Sequence, residues 1–504
     1  MPQERHRPAF SDFCSLAKLG NLVPVYRRLL ADTLTPVSAF EKISNGRYAF
    51  LLESASGGEK IARYSFLGAD PFMTFKAHGD AIEIVSGETV DRRTARDPIA
   101  ALAEQLRPFR PAHLEGLPRF VGGAVGYAAY DAVRYIEHLP HPPPDPLGLP
   151  DLYFAFYDTM VIFDHLTKTI MVVSHARTPP GADLRNAYEA ARARVDEVVE
   201  RLRTPVTKLS DDIVIEGELH LKIDSNFERA AFEEAVKRCK EYIYAGDIFQ
   251  VVLSQRLSAR TTAPPFSVYR ALRAMNPSPY MFYLHLDDIR LIGSSPEVMV
   301  KVEGNRATVR PIAGTRRRGR NEEEDARLAQ ELLHDPKERA EHIMLLDLGR
   351  NDIGRIARFG TVRIEEEMVI ERYSHVMHMT SCVTGELRPG LTAFDAFRAC
   401  FPAGTVSGAP KVRAMEILDE LEPVRRGPYA GAVGYIDFSG NMDTCITIRT
   451  ILLTGVAGLG GERAYVQAGA GIVADSVPAR EYEETIAKAK ALFRAIEVAE
   501  EGLL

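Results

Sequence analysis

Apolar residues recur at helical spacing through residues 183–202, where Leu184, Ala187, Ala191, Val195, Val198 and Leu202 fall on one side. Phe232, Ala235, Val236, Cys239, Tyr242 and Ile243 mark a second amphipathic helix. The pattern predicts further helices over 338–348 and 478–496, the latter with proline in its first turn, and a short one around 25–34. Residues 46–180 read mostly as strands. The β-branched runs 157–163 and 169–174, joined by a turn at 164–168, predict a hairpin. Strands are also predicted at 289–292, 297–302, 307–311 and 376–384. Residues 138–150 carry prolines at 140, 142, 143, 144, 146 and 150, which predicts a stiff surface loop. Residues 203–225 are polar and mixed and form the best boundary, dividing the chain into regions 1–215 and 216–504.

One pentapeptide occurs twice. Gly-Ala-Val-Gly-Tyr stands at 123–127 and at 431–435. Five residues do not establish a duplication, and the simpler reading is a strand whose glycines admit close backbone approach.

Composition narrows the class. The chain has 504 residues, of which 46% are hydrophobic and 26% charged, so a disordered chain is excluded. One hydrophobic core stops growing at roughly 250–300 residues, so at least two linked units are expected. With 62 basic and 69 acidic residues the net charge is −7, which disfavours nucleic acid or anionic lipid as the main partner. The five cysteines (Cys14, Cys239, Cys382, Cys400 and Cys445) show no paired short spacing, and buried free thiols are expected. The first residues lack the apolar stretch of a signal peptide, and the run 120–130 is too short and glycine-rich to span a bilayer. The cytoplasm is the expected location.

Several residues could carry chemistry. Glu338 and Glu341 share one helix face, as do Glu481 and Glu484, and four carboxylates from distant segments could surround a hard cation such as Mg²⁺. Taken alone, such pairs are more often a solvated face. The glycine turns at Gly314-Thr315 and at Gly469, Ala470 and Gly471 could bring backbone N–H groups close to an anion. The stretch Gly404-Thr-Val-Ser-Gly-Ala-Pro-Lys411 has the wrong spacing for a nucleotide phosphate loop. His375 and His378 sit three apart in a predicted strand and so point to opposite faces. Arg316 to Arg318 and Arg320 read as a solvated loop. Arg449, placed in an apolar strand over 446–453, needs an anionic partner.

Together the motifs are more specific than any one of them. Asn276-Pro-Ser-Pro-Tyr-Met281, Gly293-Ser-Ser-Pro-Glu297, Pro311-Ile-Ala-Gly-Thr315, Glu341-His-Ile-Met-Leu-Leu-Asp-Leu-Gly-Arg-Asn-Asp352, Gly404 to Lys411, Ile448-Arg-Thr450 and Gln467-Ala-Gly-Ala-Gly471 occur in this order. Leu51-Leu-Glu-Ser54 and Arg63-Tyr-Ser-Phe-Leu-Gly68 precede them, with Ala62 where glycine is more common. The chain thereby resembles the chorismate-utilising enzymes. That resemblance implies an α+β fold of two large antiparallel sheets packed face to face with helices outside.

The resemblance also implies a site. Glu341 and Glu484 would ligate Mg²⁺, with Glu338 and Glu481 in its outer shell. Gly314, Thr315, Tyr429, Arg449, Gly469, Ala470 and Gly471 would hold chorismate. Glu297 would be the general acid, His378 would serve the elimination, and Thr405 would stand at the site wall. Ser54, Pro279, Tyr280 and Met281 match a regulatory tryptophan site between the two regions. Members that make the para-aminated product carry a nucleophilic lysine where this chain has Ala313, and members that add water carry a lysine base where it has Gln250. Both departures point to the ammonia-using, ortho-aminating branch, which forms anthranilate and pyruvate on the way to tryptophan. No cysteine has glycines two residues before and after it, as a glutaminase elbow would require. A separate glutamine amidotransferase subunit is therefore expected, in a heterotetramer of two copies of each chain. A binding subunit that only senses tryptophan is the alternative from a different class.

Overall fold

The computed structural model describes residues 5–54, 63–205, 214–215, 217–373, 376–455 and 462–502. Ala62, His375 and the middle of the segment 203–225 lie outside the described residues.

Two twelve-stranded sheets stack on one another, and every strand pairing within them is antiparallel. The first runs Leu22–Leu30, Thr169–Arg177, Thr159–Asp164, Tyr64–Ala69, Tyr48–Glu53, Tyr280–Leu286, Ile289–Ser295, Thr450–Thr454, Glu462–Ile472, Gln250–Thr261 and Asp224–Ser225, with Gly408–Ala409 also on Gln250–Thr261. The second has Gly123–Ala128, Ala432–Asp437 and Met442–Ile446 near its middle. Each sheet thus takes strands from both sides of residues 203–225. The two linked units expected from chain length are replaced by two shared layers.

The inner faces of both sheets form one core. Phe50, Phe282, Leu284 and Leu452 of the first sheet meet Val125, Tyr127, Tyr153 and Val433 of the second. Phe50 and Tyr157 cross edge to face with ring centres 4.7 Å apart. Helices cover both outer faces. Pro36–Ile43, Leu184–Arg203, Pro265–Met275 and Pro478–Gly502 pack on the first sheet, and Pro98–Leu106, Pro336–Gly354 and Ala393–Cys400 on the second. The long helices follow from the apolar stripes: Tyr188, Ala191, Val195, Val199 and Leu202 are buried, and Asp183 caps the helix by accepting from the N–H groups of Arg185 and Asn186.

The repeated pentapeptide pairs with itself. Gly126 lies opposite Gly434 in neighbouring antiparallel strands. A Cβ on Gly126 would come within 2.0 Å of the Tyr153 carbonyl oxygen, and one on Gly434 within 2.1 Å of the Asp443 carbonyl oxygen. The repeat therefore meets a need for close backbone approach at the sheet centre.

Residues 25–34 do not form the predicted helix. Leu22–Leu30 is an edge strand, paired along its length with Thr169–Arg177. Pro24 is tolerated there because an edge strand has an N–H row that needs no partner. The helix begins only at Pro36, where Thr35 and Ser38 form a reciprocal cap. All five cysteines are free, as expected, though Cys14 and Cys382 are only half-buried. Among the described residues no helix is long and apolar enough to cross a membrane.

Candidate active site

A cavity of about 360 Å³ opens where the strands Gln250–Thr261 and Glu462–Ile472 meet the ends of the helices Pro336–Gly354 and Pro478–Gly502. Glu297, Gly314, Thr315, Glu341, His378, Thr405, Tyr429, Arg449, Gly469, Gly471, Glu481 and Glu484 all line it, as do Gln250 and Ala313. Residues 484 and 297 are 187 positions apart, so the cavity is a product of the fold.

Two residues fall elsewhere. Ala470 alternates to the opposite face of its strand and is fully buried in the cluster with Phe232 and Leu253, so only its backbone could serve the cavity. Glu338 does not line the cavity. Its Oε1 accepts from Arg316 at 3.0 Å, and that guanidinium also binds Asp335 and Glu331. Arg316 is thus held by a carboxylate network.

The glycines on the floor leave little room for a side chain, Gly469 against Tyr429 and Val252 and Gly471 only against the end of the flexible Gln250 side chain. A Cβ on Gly469 would stand 2.7 Å from Tyr429 Oη and one on Gly471 2.6 Å from Gln250 Nε2. Gly314 has φ of +67° at an irregularity in the pairing of Ile312–Arg317 with Val376–Glu386, and its carbonyl turns towards His378.

The titratable groups owe their states to burial. Desolvation lifts Glu297 from 4.5 to about 8, so it is a neutral acid at pH 7. The Thr405 hydroxyl beside it favours the charged form, but its oxygen completes no full hydrogen bond. Burial lowers His378, opposed by its hydrogen bond to Gly314 and assisted by Arg449. His378 Nδ1 lies 2.9 Å from the Gly314 carbonyl oxygen, which can only accept, so Nδ1 carries the proton and Nε2 is left with its lone pair. Arg449 is lowered by burial first. It is not in a strand as expected: its φ is +51° and it bridges Met442–Ile446 and Thr450–Thr454, which frees it from the pleat.

The carboxylates suit a hard cation. Burial raises Glu341 and Glu481, and Glu484 adds repulsion to both. Gln250 Nε2 donates to Glu341 at 3.3 Å. Oxygen donors that repel one another match Mg²⁺, which takes one or two carboxylates and keeps water. Among the described residues no three His, Cys, Asp or Glu side chains are already grouped as a metal cage. Glu484 pairs with Lys488 at 2.6 Å, so a divalent ion would displace that ammonium. Lys337 and Lys488 were not foreseen as lining residues. Lys488 was findable, since it stands four residues after Glu484 on one helix face.

Ser54, Pro279, Tyr280 and Met281 are brought together away from this cavity. Met281 pairs with Glu53 across adjacent strands, which sets Ser54 beside Tyr280. The Tyr280 hydroxyl donates to Asp443 at 2.9 Å. Lys411 is bound to Asp352 at 2.8 Å.

Two stacked antiparallel sheets with a carboxylate-rimmed cavity at one end define a class. Residues 47–494 match the sequence profile described as chorismate binding enzyme, and the chain belongs to that family of enzymes. Within it the chain is 48% identical over 497 residues to anthranilate synthase component 1 of Acetivibrio thermocellus, covering 98% of this chain and 99% of the relative. It is 51% identical over 489 residues to the Aquifex aeolicus protein of the same name, covering 97% of each. The crystal structure of anthranilate synthase component I from Streptococcus pneumoniae superposes with a TM-score of 0.76 at 39% identity, over 92% of this chain and 99% of that one. The menaquinone-specific isochorismate synthase of Escherichia coli shares the fold, with a TM-score of 0.68 at 16% identity over 97% of this chain and 99% of that one.

Proposed function

We propose that this chain converts chorismate and ammonia into anthranilate, pyruvate and water, as component I of an anthranilate synthase. One observation carries the reading: a protonated carboxyl at Glu297 and a neutral imidazole at His378 line the same cavity as Arg449. In the first half, ammonia bonds to ring carbon 2, the ring double bonds shift, and the bond from carbon 4 to its hydroxyl breaks. Glu297 gives its proton to that oxygen, which leaves as water, and the proton shed by the new ammonium group makes good the one Glu297 gave. In the second half, Nε2 of His378 takes the proton from carbon 2, the ether bond at carbon 3 breaks to leave an aromatic ring, and the departing enolate takes up a proton and becomes pyruvate. Arg449 and the N–H groups near Gly469 to Gly471 bind the carboxylates.

Glu341 and Glu484 would hold Mg²⁺, with Glu481 close by. The ion supplies charge to bind and polarise the ring carboxylate. Ala313 cannot attack the ring, and Gln250 cannot deprotonate water but can hydrogen-bond ammonia. These two residues favour ortho amination over its alternatives. Neutral ammonia would come from a glutamine amidotransferase subunit, because no cysteine here has the glycine-flanked setting of a glutaminase elbow, and burial raises Cys239 to about 12 and also raises Cys382, Cys400 and Cys445. Tryptophan would act at Ser54, Pro279, Tyr280 and Met281, with the two regions 1–215 and 216–504 joined there by strand pairing. A heterotetramer with two amidotransferase subunits in the cytoplasm completes the reading.

Anthranilate fluorescence tests it. Purified chain with chorismate, Mg²⁺ and high ammonium at mildly alkaline pH, no higher than about 8, where Glu297 ionises, should develop the signal, and added tryptophan should suppress it. Chorismate binding without fluorescence would favour the sensing subunit instead.

A further inference from the structure

The rear wall of the cavity rests on a buried ion pair that the reaction above does not use. Arg426 and Glu422 are 2% and 6% exposed, on the segment just before Tyr429. The guanidinium Nε donates to Glu422 Oε2 at 2.8 Å and one terminal nitrogen to Oε1 at 2.7 Å. The same nitrogen donates to the Val252 carbonyl at 2.6 Å, and the other to the Val406 carbonyl at 2.7 Å. The guanidinium lies 5.6 Å from the Tyr429 ring centre and 4.7 Å from that of Tyr130.

The carboxylate extends the network. Glu422 Oε1 accepts from both the N–H and the hydroxyl of Ser254, at 2.9 and 2.7 Å. The Ser254 hydroxyl has one proton, and an ionised carboxylate can only accept it. Ser254 Oγ therefore accepts from Gln467 Nε2, which is 2.9 Å away, and the amide of Gln467 is fixed in one orientation. Val252, Val406, Tyr429 and Gln467 all line the cavity. The pair thus reaches four wall residues, one on each of two strands, one on the short helix Gly404–Ser407 and one on its own loop, directly or through one hydroxyl.

Stability alone does not account for this arrangement. Replacing a buried ion pair by apolar side chains of similar volume is often neutral or stabilising. What an apolar pair cannot do is hold two carbonyls and a serine hydroxyl at fixed positions. We infer that Arg426 is a positioning residue, which with Glu422 fixes the wall formed by Val252, Val406, Tyr429 and Gln467 against the bound ring. Thr405, next to Val406, is placed by the same contact. This inference rests on the proposed chorismate reaction.

The test compares Arg426→Lys with the double variant Glu422→Met/Arg426→Met. Lysine keeps the charge and loses the fork; the double variant removes both charges together. Thermal melting reports the fold, and anthranilate fluorescence at saturating ammonium reports kcat and KM for chorismate. The expected result is a double variant that melts near the wild type while its kcat falls by about tenfold or more, the effect of a small misplacement at a reacting centre. Arg426→Lys should fall between the two. In an Arg426→Ala chain, added guanidinium ion should restore turnover and methylammonium should not.

A double variant with wild-type kcat and KM would overturn the inference. So would a double variant that does not fold, since the pair would then be a stability element. No anthranilate from the unaltered chain would instead fail the proposed reaction. The clamp would then be judged on chorismate affinity by calorimetry, which the double variant should weaken about tenfold or more by the same misplacement; unchanged affinity would overturn it.

Discussion

Replacing Glu297 by glutamine separates burial from catalysis. The side chain is 6% exposed, and desolvation moves its carboxyl from 4.5 to about 8. At about 1.4 kcal/mol per pH unit, that difference corresponds to roughly 4–5 kcal/mol. The sign follows from proton counting. Between pH 4.5 and 8 the unfolded chain releases this proton while the folded chain retains it. The favourable term is therefore complete below pH 4.5 and shrinks as the pH rises to about 8. Glutamine has no such proton. Melting curves of both chains from pH 5 to 9 should show the variant gaining on the wild type as pH rises, with the gain levelling above about pH 8. Turnover should fall by roughly 10²–10⁴, the usual worth of a general acid. Wild-type turnover should decline above about pH 8, and the residual activity of Glu297→Gln should lack that alkaline limb. A stability difference independent of pH, or full turnover in the variant, would refute the assignment of a buried neutral acid.

Glu341→Ala should abolish Mg²⁺-dependent turnover and the heat of Mg²⁺ binding in calorimetry while leaving the melting temperature close to that of the wild type, since the removed carboxylate is both buried and repelled by Glu338 and Glu484; undiminished Mg²⁺ binding would contradict the ligand role. Ser54→Phe should spare turnover and raise the tryptophan concentration needed for half inhibition at least tenfold, and identical inhibition curves for both chains would remove Ser54 from the regulatory site. Gly126→Ala should lower stability by about 3 kcal/mol or more, because its Cβ would stand 2.0 Å from the Tyr153 carbonyl oxygen and backbone at a sheet centre cannot yield. An unchanged melting temperature for that chain would disprove the close approach.

The elements with the strongest periodicity were the most legible in the sequence. The stripe ending at Leu202 and the hairpin turning at 164–168 stand where the pattern puts them, because local period and tertiary burial agree. Residues 25–34 misled because Val25, Tyr26, Leu29 and Leu30 fit a helical face as well as an edge strand. The choice was made by the partner strand Thr169–Arg177, some 140 residues away. Arg449 misled for a related reason: an apolar run signals burial, and burial alone does not distinguish a strand from the bend that joins two. The shared sheets were illegible because sheet order is set by long-range pairing, as between Gly126 and Gly434. The site residues were legible only through the ordered motifs. Spacing alone could pair Glu338 with Glu341 on one face, yet Arg316 draws the first away and the cavity takes the second.

One physical cause would assign the two proton-transfer roles proposed for Glu297 and His378. Burial penalises whichever form of a group is charged, so it raises an acid and lowers a base. Glu297 is raised and His378 lowered, and at neutral pH both are uncharged in the same cavity. A charged Glu297 could not protonate a departing hydroxyl, and a charged His378 could not accept a ring proton. Their common desolvation therefore gives the acid and the base at once, without either having to neutralise the other. In the proposed reaction Arg449 would meet substrate carboxylates, while Glu484 adds repulsion to the raised Glu341 and Glu481, which a bound divalent ion would relieve. A site with these groups in water would keep every residue and lose the pairing of protonation states on which both halves of the proposed reaction depend.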